Sequence, residues 1–424
     1  MNRKIVFYFL GWVLRVEALS MLLPMAVAFI YREAEGIYFL PVGLAGLVIA
    51  ELMAHKRPKN PSFYTREGFV SVALSWILMS LVAAIPFTAS GCIPSYIDSV
   101  FEMISGFTTT GASILSDVEA LPRCMLFYRS FTHWIGGMGV LMFVLAILPG
   151  SGGNNMLIVR AESPGPTAGK FVQKTNSSAK ILYEIYLAIT VLEIAALCIS
   201  GMPLFDSMCL SFGSVGTGGF GILNDSCGSY TSVQHIIITV FMFACGVNFN
   251  AYFLLISGKF KEALRSEEVR AYFGIVIACI AAVAINIRGL FANAAETLKN
   301  AAFQVVSVIT TTGYTTVDFD RWPAFSKCIL VMLMFIGACA GSTGGGLKVS
   351  RIVIAWKTVR KEMSTLIHPR AVKVLKFEDK AIEHNTLRSV NTYIMCYVLV
   401  FTISIIIVSL DRVDFEKNII PIKA

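Results

Sequence analysis

A short sequence motif recurs three times along this chain, each time between two long apolar runs. The three copies are Phe101–Gly111, Leu210–Gly218 and Phe303–Gly313. They end in Thr109-Thr110-Gly111, Gly216-Thr217-Gly218 and Thr311-Thr312-Gly313. One such motif in an apolar chain arises by chance, but three copies at a spacing of roughly a hundred residues indicate internal duplication. The pattern predicts repeated units in which a short helix and a loop stand between two spanning helices.

The composition is that of a membrane protein. Hydrophobic residues make up 56% of the chain and charged residues 15%, whereas a soluble domain is about half apolar and about a quarter charged. The apolar runs are too long and too uniform for barrel strands, which alternate and need only about 10 residues. We therefore predict an all-α polytopic membrane protein with spans near 5–30, 37–54, 69–90, 125–148, 181–201, 233–256, 270–290, 327–347 and 389–410.

The runs and motifs together predict a pseudo-fourfold arrangement of helix–pore loop–helix repeats. An amino-terminal helix pair (1–60) precedes three repeats at 61–165, 166–262 and 263–365. A fourth repeat begins in 366–424, and nothing after its apolar run resembles the other three loops. We expect this last repeat to be incomplete.

Charged residues are distributed in a way that predicts orientation. Lys and Arg concentrate in the loops at 55–67, 158–180, 258–270 and 348–388. The positive-inside rule then puts these loops and the amino terminus in the cytoplasm, with the three motifs on the outer side. The net charge of +8 is thus spread over loops, which argues against nucleic-acid binding. The ten cysteines form no CxxC or Cys/His cluster, so no metal centre or cofactor is predicted. No nucleophile–base pair or carboxylate pair stands out in the sequence, so we do not predict an enzyme.

The three motifs have the residue types of a potassium-selective filter. Backbone carbonyls replace the water shell of the ion without adding net charge, and a pore helix directs its negative carboxyl end at the ion. We predict that Gly111, Gly218 and Gly313 supply positive φ angles that turn successive carbonyls toward the ion. The alternative is that each is a glycine that lets membrane helices pack closely. The predicted ion-binding residues are Thr109, Thr110, Gly111, Gly216, Thr217, Gly218, Thr311, Thr312 and Gly313.

A second glycine-rich segment, Gly337–Lys348, falls inside an apolar run. Each glycine weakens a helix by about 1 kcal/mol relative to alanine, so we predict a break in the middle of the membrane. We interpret the segment as an intramembrane gating loop, and the alternative is close helix packing. The predicted gate residues are Gly341, Ser342, Thr343, Gly344, Gly345, Gly346 and Lys348.

Three further positions leave alternatives open. His133 is a proton site or a hydrogen-bonded interfacial histidine, and the second interpretation is favoured. Asn248 and Asn250 line a vestibule or form hydrogen bonds between helices.

These motifs together resemble the Trk/Ktr/HKT superfamily of potassium transporters, and specifically its TrkH-type members. The similarity is strongest at Phe107–Ser113, Gly216–Gly221, Thr310–Phe319 with Arg321-Trp322-Pro323, and Gly341–Lys348, and it extends to the segments at 160–166 and 368–372. The resemblance implies potassium uptake across the bacterial plasma membrane, a homodimer, and a cytoplasmic nucleotide-binding regulatory subunit. It also implies that the three motifs supply filter carbonyls and that Gly341–Gly346 is the gate. The rival functions are a sodium-coupled carrier of the same superfamily and a non-conducting truncated fragment.

Overall fold

The computed structural model describes residues 2–55, 65–139, 175–370 and 374–411. Over these residues the chain forms sixteen α-helices and one short β-hairpin. The helices are α1 (Arg3–Ser20), α2 (Leu22–Tyr31), α3 (Phe39–Ala54), α4 (Thr65–Ala89), α5 (Tyr96–Phe107), α6 (Arg123–Gly137), α7 (Thr175–Ile199), α8 (Leu204–Val215), α9 (Ser232–Cys245), α10 (Phe249–Ile256), α11 (Phe260–Arg265), α12 (Glu267–Ile287), α13 (Ala294–Ile309), α14 (Ala324–Ile336), α15 (Val349–Ile367) and α16 (His384–Val408). The hairpin strands are β1 (Lys376–Phe377) and β2 (Lys380–Ala381).

Six of the described helical segments are long and apolar enough to cross a bilayer. Their outward faces carry large apolar side chains that a soluble protein would bury, among them Phe29 and Ile199, both 87% exposed. The prediction of an all-α polytopic membrane protein is confirmed. The segments are Arg3–Tyr31, Ala34–Ala54, Arg66–Ala89, Lys180–Ile199, Glu267–Ile287 and His384–Val408.

Two predicted spans are not continuous helices. The run at 233–256 breaks into α9 and α10, which are bent by 90°, because Gly246 lies at the break and the Asn248 side chain accepts from Asn250 N to start a new helix. The run at 327–347 ends as a helix at Ile336, where Gly337 takes a φ of 71°. Of the predicted span at 125–148, residues up to Gly137 are helical, and 140–148 lie outside the described residues.

The described residues fall into two compact units. The first unit contains 2–55, 65–139, 175–242 and 312–316, and the second contains 243–311, 317–370 and 374–411. This division does not follow the predicted repeats. The segment Thr312–Thr316, which contains the last two residues of the third motif, belongs to the first unit. The repeat boundaries remain a prediction.

In the first unit, helix α6 forms the wall against which α5 and α8, the helices of the first two motifs, pack. Its residues from Cys124 to His133 are all buried. Close approach depends on glycine: a Cβ on Gly137 would lie only 2.6 Å from the Cα of Gly216. In lipid, cohesion between helices comes from such close packing rather than from removal of apolar surface from water. Helix α6 therefore holds the two loops that follow α5 and α8 at a defined distance.

In the second unit, helix α12 is the central element and packs against α13, α14 and α15. The hairpin pairs Lys376 with Ala381 and Phe377 with Lys380. Phe377 is buried against Ile354 of α15 and Val390 of α16. The hairpin is thereby fixed to the helix that follows the glycine-rich segment.

Candidate functional site

The helices of the first two motifs, α5 and α8, end in the same way. The end of α5 is closed by hydrogen bonds from Thr110 N to Ser105 O (2.9 Å) and from Thr109 N to Gly106 O (3.1 Å). The end of α8 has the equivalent bonds, from Gly218 N to Gly213 O (2.8 Å) and from Thr217 N to Ser214 O (3.2 Å). This is the Schellman motif, in which the residue after the helix cap is left-handed and is usually glycine.

Threonine occupies that left-handed position in all three motifs. The φ angles are 54° at Thr109, 54° at Thr217 and 56° at Thr311. A β-branched residue in this region is a genuine outlier, and such strain costs on the order of 1–3 kcal/mol per residue. The same strain at three equivalent positions is evidence that the backbone conformation itself is required.

Each strained threonine is followed two residues later by a glycine that is also left-handed. These glycines are Gly111 (φ 75°), Gly219 (φ 80°) and Gly313 (φ 88°). The prediction of a positive φ is confirmed for Gly111 and Gly313 and is wrong for Gly218. The equivalent triplets are Thr109–Gly111, Thr217–Gly219 and Thr311–Gly313, so the second motif is shifted by one residue from its predicted register. Two adjacent glycines at this point left the register undecided in the sequence.

Successive loops contact one another through these glycines. A Cβ on Gly111 would collide with the carbonyl oxygen of Gly218, and a Cβ on Gly219 would collide with the carbonyl oxygen of Thr312. A Cβ on Gly313 would meet no atom within 4 Å. The first, second and third loops therefore stand side by side in chain order, with backbone oxygens at their contacts.

Tyr314 ties the third loop to the second. Its side chain is fully buried, and its hydroxyl lies 3.1 Å from Leu210 O and 3.3 Å from Phe220 O. A backbone hydrogen bond from Cys227 N to Thr315 O (2.9 Å) adds a second tie. Tyr314 is a supporting residue that the repeated motifs did not single out.

His133 lies directly behind the second loop. Its ring is stacked on Phe220 with 4.1 Å between centroids, and Nδ1 accepts a 3.4 Å hydrogen bond from Phe220 N. A Cβ on Gly218 would collide with this ring. The interpretation of His133 as a hydrogen-bonded residue is thus supported, although the side chain is buried in the protein rather than at an interface.

The glycine-rich segment is an irregular loop between α14 and α15. Four of its residues have positive φ: Gly337 (71°), Gly341 (73°), Gly346 (80°) and Lys348 (76°). The Lys348 ammonium donates to Gly344 O, and Thr343 Oγ1 donates to Cys245 O (3.3 Å). The predicted break in the apolar run is confirmed.

This loop contacts the third motif directly. Gly345 N donates to Thr311 Oγ1 at 2.6 Å, and a Cβ on Gly344 would lie 2.8 Å from Thr310 O. The predicted gate residues and the predicted ion-binding residue Thr311 are therefore hydrogen-bonded neighbours within the second unit. Asn248 lies at the same loop: its Nδ2 is 3.5 Å from Glu268 Oε2, which favours the hydrogen-bonding alternative for this residue.

Comparison with known proteins identifies a matching family. The TrkH family, described as cation transport protein, matches residues 42–279 and 290–417. The Trk system potassium uptake protein TrkH of Salmonella typhimurium is 38% identical over 403 residues, which cover 93% of this chain and 83% of that protein. The TrkH protein of Escherichia coli K12 is 37% identical over 402 residues, with the same shares.

A solved structure is similar over nearly the whole chain. The crystal structure of the potassium transporter TrkH from Vibrio parahaemolyticus superimposes with a TM-score of 0.89 at 30% identity, covering 99% of this chain and 88% of that one. The matched family consists of transporters and not of enzymes. This chain belongs to the TrkH family of cation transport proteins.

Proposed function

We propose that this protein carries potassium into the bacterial cell along a pathway lined by backbone carbonyls of the three loops. The observation that carries the proposal is the repeated pair of left-handed residues, Thr then Gly, two positions apart in every loop. Residues of positive φ that alternate with residues of negative φ direct successive carbonyls to one side of the backbone. Rings of such carbonyls can replace the hydration shell of an alkali cation.

The three loops contribute no charged side chain to this pathway. The residues of the three loops, 108–111, 216–219 and 310–313, include no acidic or basic side chain. A filter made of neutral oxygens selects among monovalent cations by the number and field of its ligands, whereas charged rings select mainly by valence. The relatives from Salmonella typhimurium and Escherichia coli are potassium uptake proteins, which supports potassium as the ion.

The proposed ligands follow the register of the structure. Carbonyls come from Thr109, Thr110 and Gly111 in the first loop and from Thr311, Thr312 and Gly313 in the third. In the second loop Thr217, Gly218 and Gly219 are the equivalents, and Gly216 corresponds to the residue before each triplet.

The loop Gly341–Gly346, with Lys348, acts as the gate. Its hydrogen bond to Thr311 supports this role, because a loop attached to a filter residue can obstruct the path and be withdrawn. We further propose a cytoplasmic amino terminus, a homodimer, and control by a cytoplasmic nucleotide-binding subunit. The distribution of basic loops supports the orientation, and the family resemblance supports the two partners.

Ion uptake by the purified chain in liposomes tests the proposal. We expect uptake of labelled rubidium, competed by external potassium and not by an equal concentration of sodium. Uptake that instead requires a sodium gradient at fixed membrane potential would favour the sodium-coupled carrier. Absence of uptake from correctly folded protein would favour the non-conducting alternative.

A further inference from the structure

Glu268 is a buried carboxylate that contacts the glycine-rich loop and the helix after it. Its side chain lies in the first turn of α12 and is 2% exposed. Oε1 accepts from Ala340 N at 2.6 Å and from Ser350 N at 3.1 Å. These two amides lie on opposite sides of Gly341–Gly346, so a single carboxylate oxygen joins both ends of the proposed gate.

We propose that Glu268 is the positioning residue that holds the loop Gly341–Gly346 in its obstructing conformation. This inference rests on the proposed gating role of that loop. Hydrogen bonds to an ionised carboxylate are roughly twice as strong as those between neutral groups. The two backbone amides would lose their buried acceptor if the loop moved away, and an unpaired buried amide is costly.

Glu268 and its hydrogen bonds to Ala340 N and Ser350 N are called the clamp below. A second acidic residue connects this clamp to the hairpin. Glu378 Oε1 accepts from Ser266 Oγ at 2.8 Å and from Glu268 N at 3.4 Å. Glu378 and Asp379 form the turn of the hairpin, and both have positive φ, 52° and 60°. This turn conformation normally selects Asn and Gly. The strained turn thus directs the Glu378 carboxylate at the end of α12 that carries Glu268. Glu378 is therefore a second positioning residue, which contacts Glu268 from the hairpin.

Lys357 of helix α15 strengthens the same connection. Lys357 donates to Lys376 O at 2.8 Å and pairs with Glu267, the neighbour of Glu268. The hairpin is therefore attached both to the start of α12 and to the helix that leaves the gate loop. A ligand or subunit that moved the hairpin would act on the gate through Glu268.

The first test measures the loop itself, independently of transport. We would compare hydrogen exchange of peptides spanning 338–350 and alkylation of buried Cys339 in the intact protein, in Glu268→Ala and in Glu268→Gln. Alanine removes the acceptor, and exchange should rise about tenfold, equivalent to about 1.4 kcal/mol. Glutamine keeps a neutral acceptor oxygen and should give a smaller rise. Glu378→Ala should act in the same direction.

The matched control is Glu262→Ala, which removes an exposed glutamate that pairs with Lys259 at 3.5 Å. It should leave exchange and alkylation unchanged. Unchanged exchange of 338–350 in Glu268→Ala would overturn the proposal. Should the alanine variant fail to fold, the glutamine variant decides in the same way.

Rubidium uptake at equal amounts of folded protein separates the clamp from the gate. If Glu268 is merely structural, Glu268→Ala should reduce uptake. If Glu268 is a clamp, Glu268→Ala should increase uptake, and shortening Gly341–Gly346 in the same protein should give no further increase. If the shortened loop increases uptake and Glu268→Ala does not, the proposed clamp is overturned and the proposed gate is still supported. No gain from either variant overturns the proposed gate itself.

Discussion

Arg129 and Glu102 form a buried ion pair that connects the loops of the first two motifs. The side chains are 2% and 0% exposed, and Arg129 Nε donates to Glu102 Oε1. Glu102 also accepts from Ser113 Oγ and Ile114 N, both at 3.0 Å, just after the first triplet. Arg129 donates to Gly221 O at 2.9 Å, just after the second triplet. The exits of two loops are thus fixed to one pair of charges.

We predict that Glu102→Gln lowers the free energy of unfolding by about 3 kcal/mol, because removing one partner leaves the other charge buried and uncompensated. The matched control is Glu262→Gln, which breaks the exposed pair between Lys259 and Glu262 outside the candidate spans and should cost less than about 1 kcal/mol. Denaturant unfolding of the purified protein in detergent measures both. Equal losses in the two variants would contradict the structural role of the buried pair.

The filter assignment makes a prediction at Gly313. Its Cβ would meet no atom within 4 Å, so Gly313→Ala adds only the strain of a positive φ, roughly 1–2 kcal/mol. Gly201 is a matched control, because it also combines a positive φ (91°) with open space but lies outside the motifs. We expect similar losses of stability. Because ligand binding to the native state raises stability, we expect potassium to raise the melting temperature of the unaltered protein more than sodium does. Only Gly313→Ala should reduce this difference.

Gly218 and His133 should be energetically coupled. The imidazole occupies the space that a side chain at position 218 would need, so Gly218→Ala should destabilise the protein by about 1–3 kcal/mol through overpacking. The same substitution should cost less in a His133→Ala background, where the ring is absent. A double-mutant cycle on unfolding free energies measures this coupling. Strict additivity would show that His133 does not set the position of the second loop.

Much of the fold could be predicted from the sequence because a membrane requires continuous apolar helices. The runs at 5–30 and 389–410 are examples of spans that the structure contains. The run at 233–256 is an exception, because hydropathy does not detect the bend that Gly246 and Asn248 make. Likewise, the pair Gly218-Gly219 offers two registers, and only the φ angles identify Gly219 as the partner of Gly111 and Gly313.

The supporting residues of the site could not be predicted, because their partners are distant in sequence. Glu268 is separated from Ala340 by 72 positions and from Ser350 by 82. Glu102 and Arg129 occupy two helices whose contact depends on tertiary packing. A charged residue within an apolar helix was the one available signal, and it does not reveal its partner.

Thr217 and Thr311 offer a comparison within one chain for the link between the proposed filter and the proposed gate. Both are left-handed, and the hydroxyl of each donates to the preceding carbonyl at 2.7 Å. The hydroxyl of Thr311 additionally accepts from Gly345 N of the gate loop at 2.6 Å. The two residues therefore differ in their relation to the gate while sharing their local conformation.

We predict that Thr311→Val loosens the gate loop and that Thr217→Val does not. Valine keeps the β-branched shape, so backbone strain stays nearly constant, while the acceptor for Gly345 N disappears. Losing a hydrogen bond of this kind costs about 1 kcal/mol, which should speed hydrogen exchange of residues 341–348 about fivefold and increase rubidium uptake. Thr217→Val loses the same hydroxyl contact to its own loop and serves as the control for altered filter chemistry. An equal change of exchange in both variants would mean that the loop responds to the filter as a whole, and the specific bond between Thr311 and Gly345 would lose its assigned role.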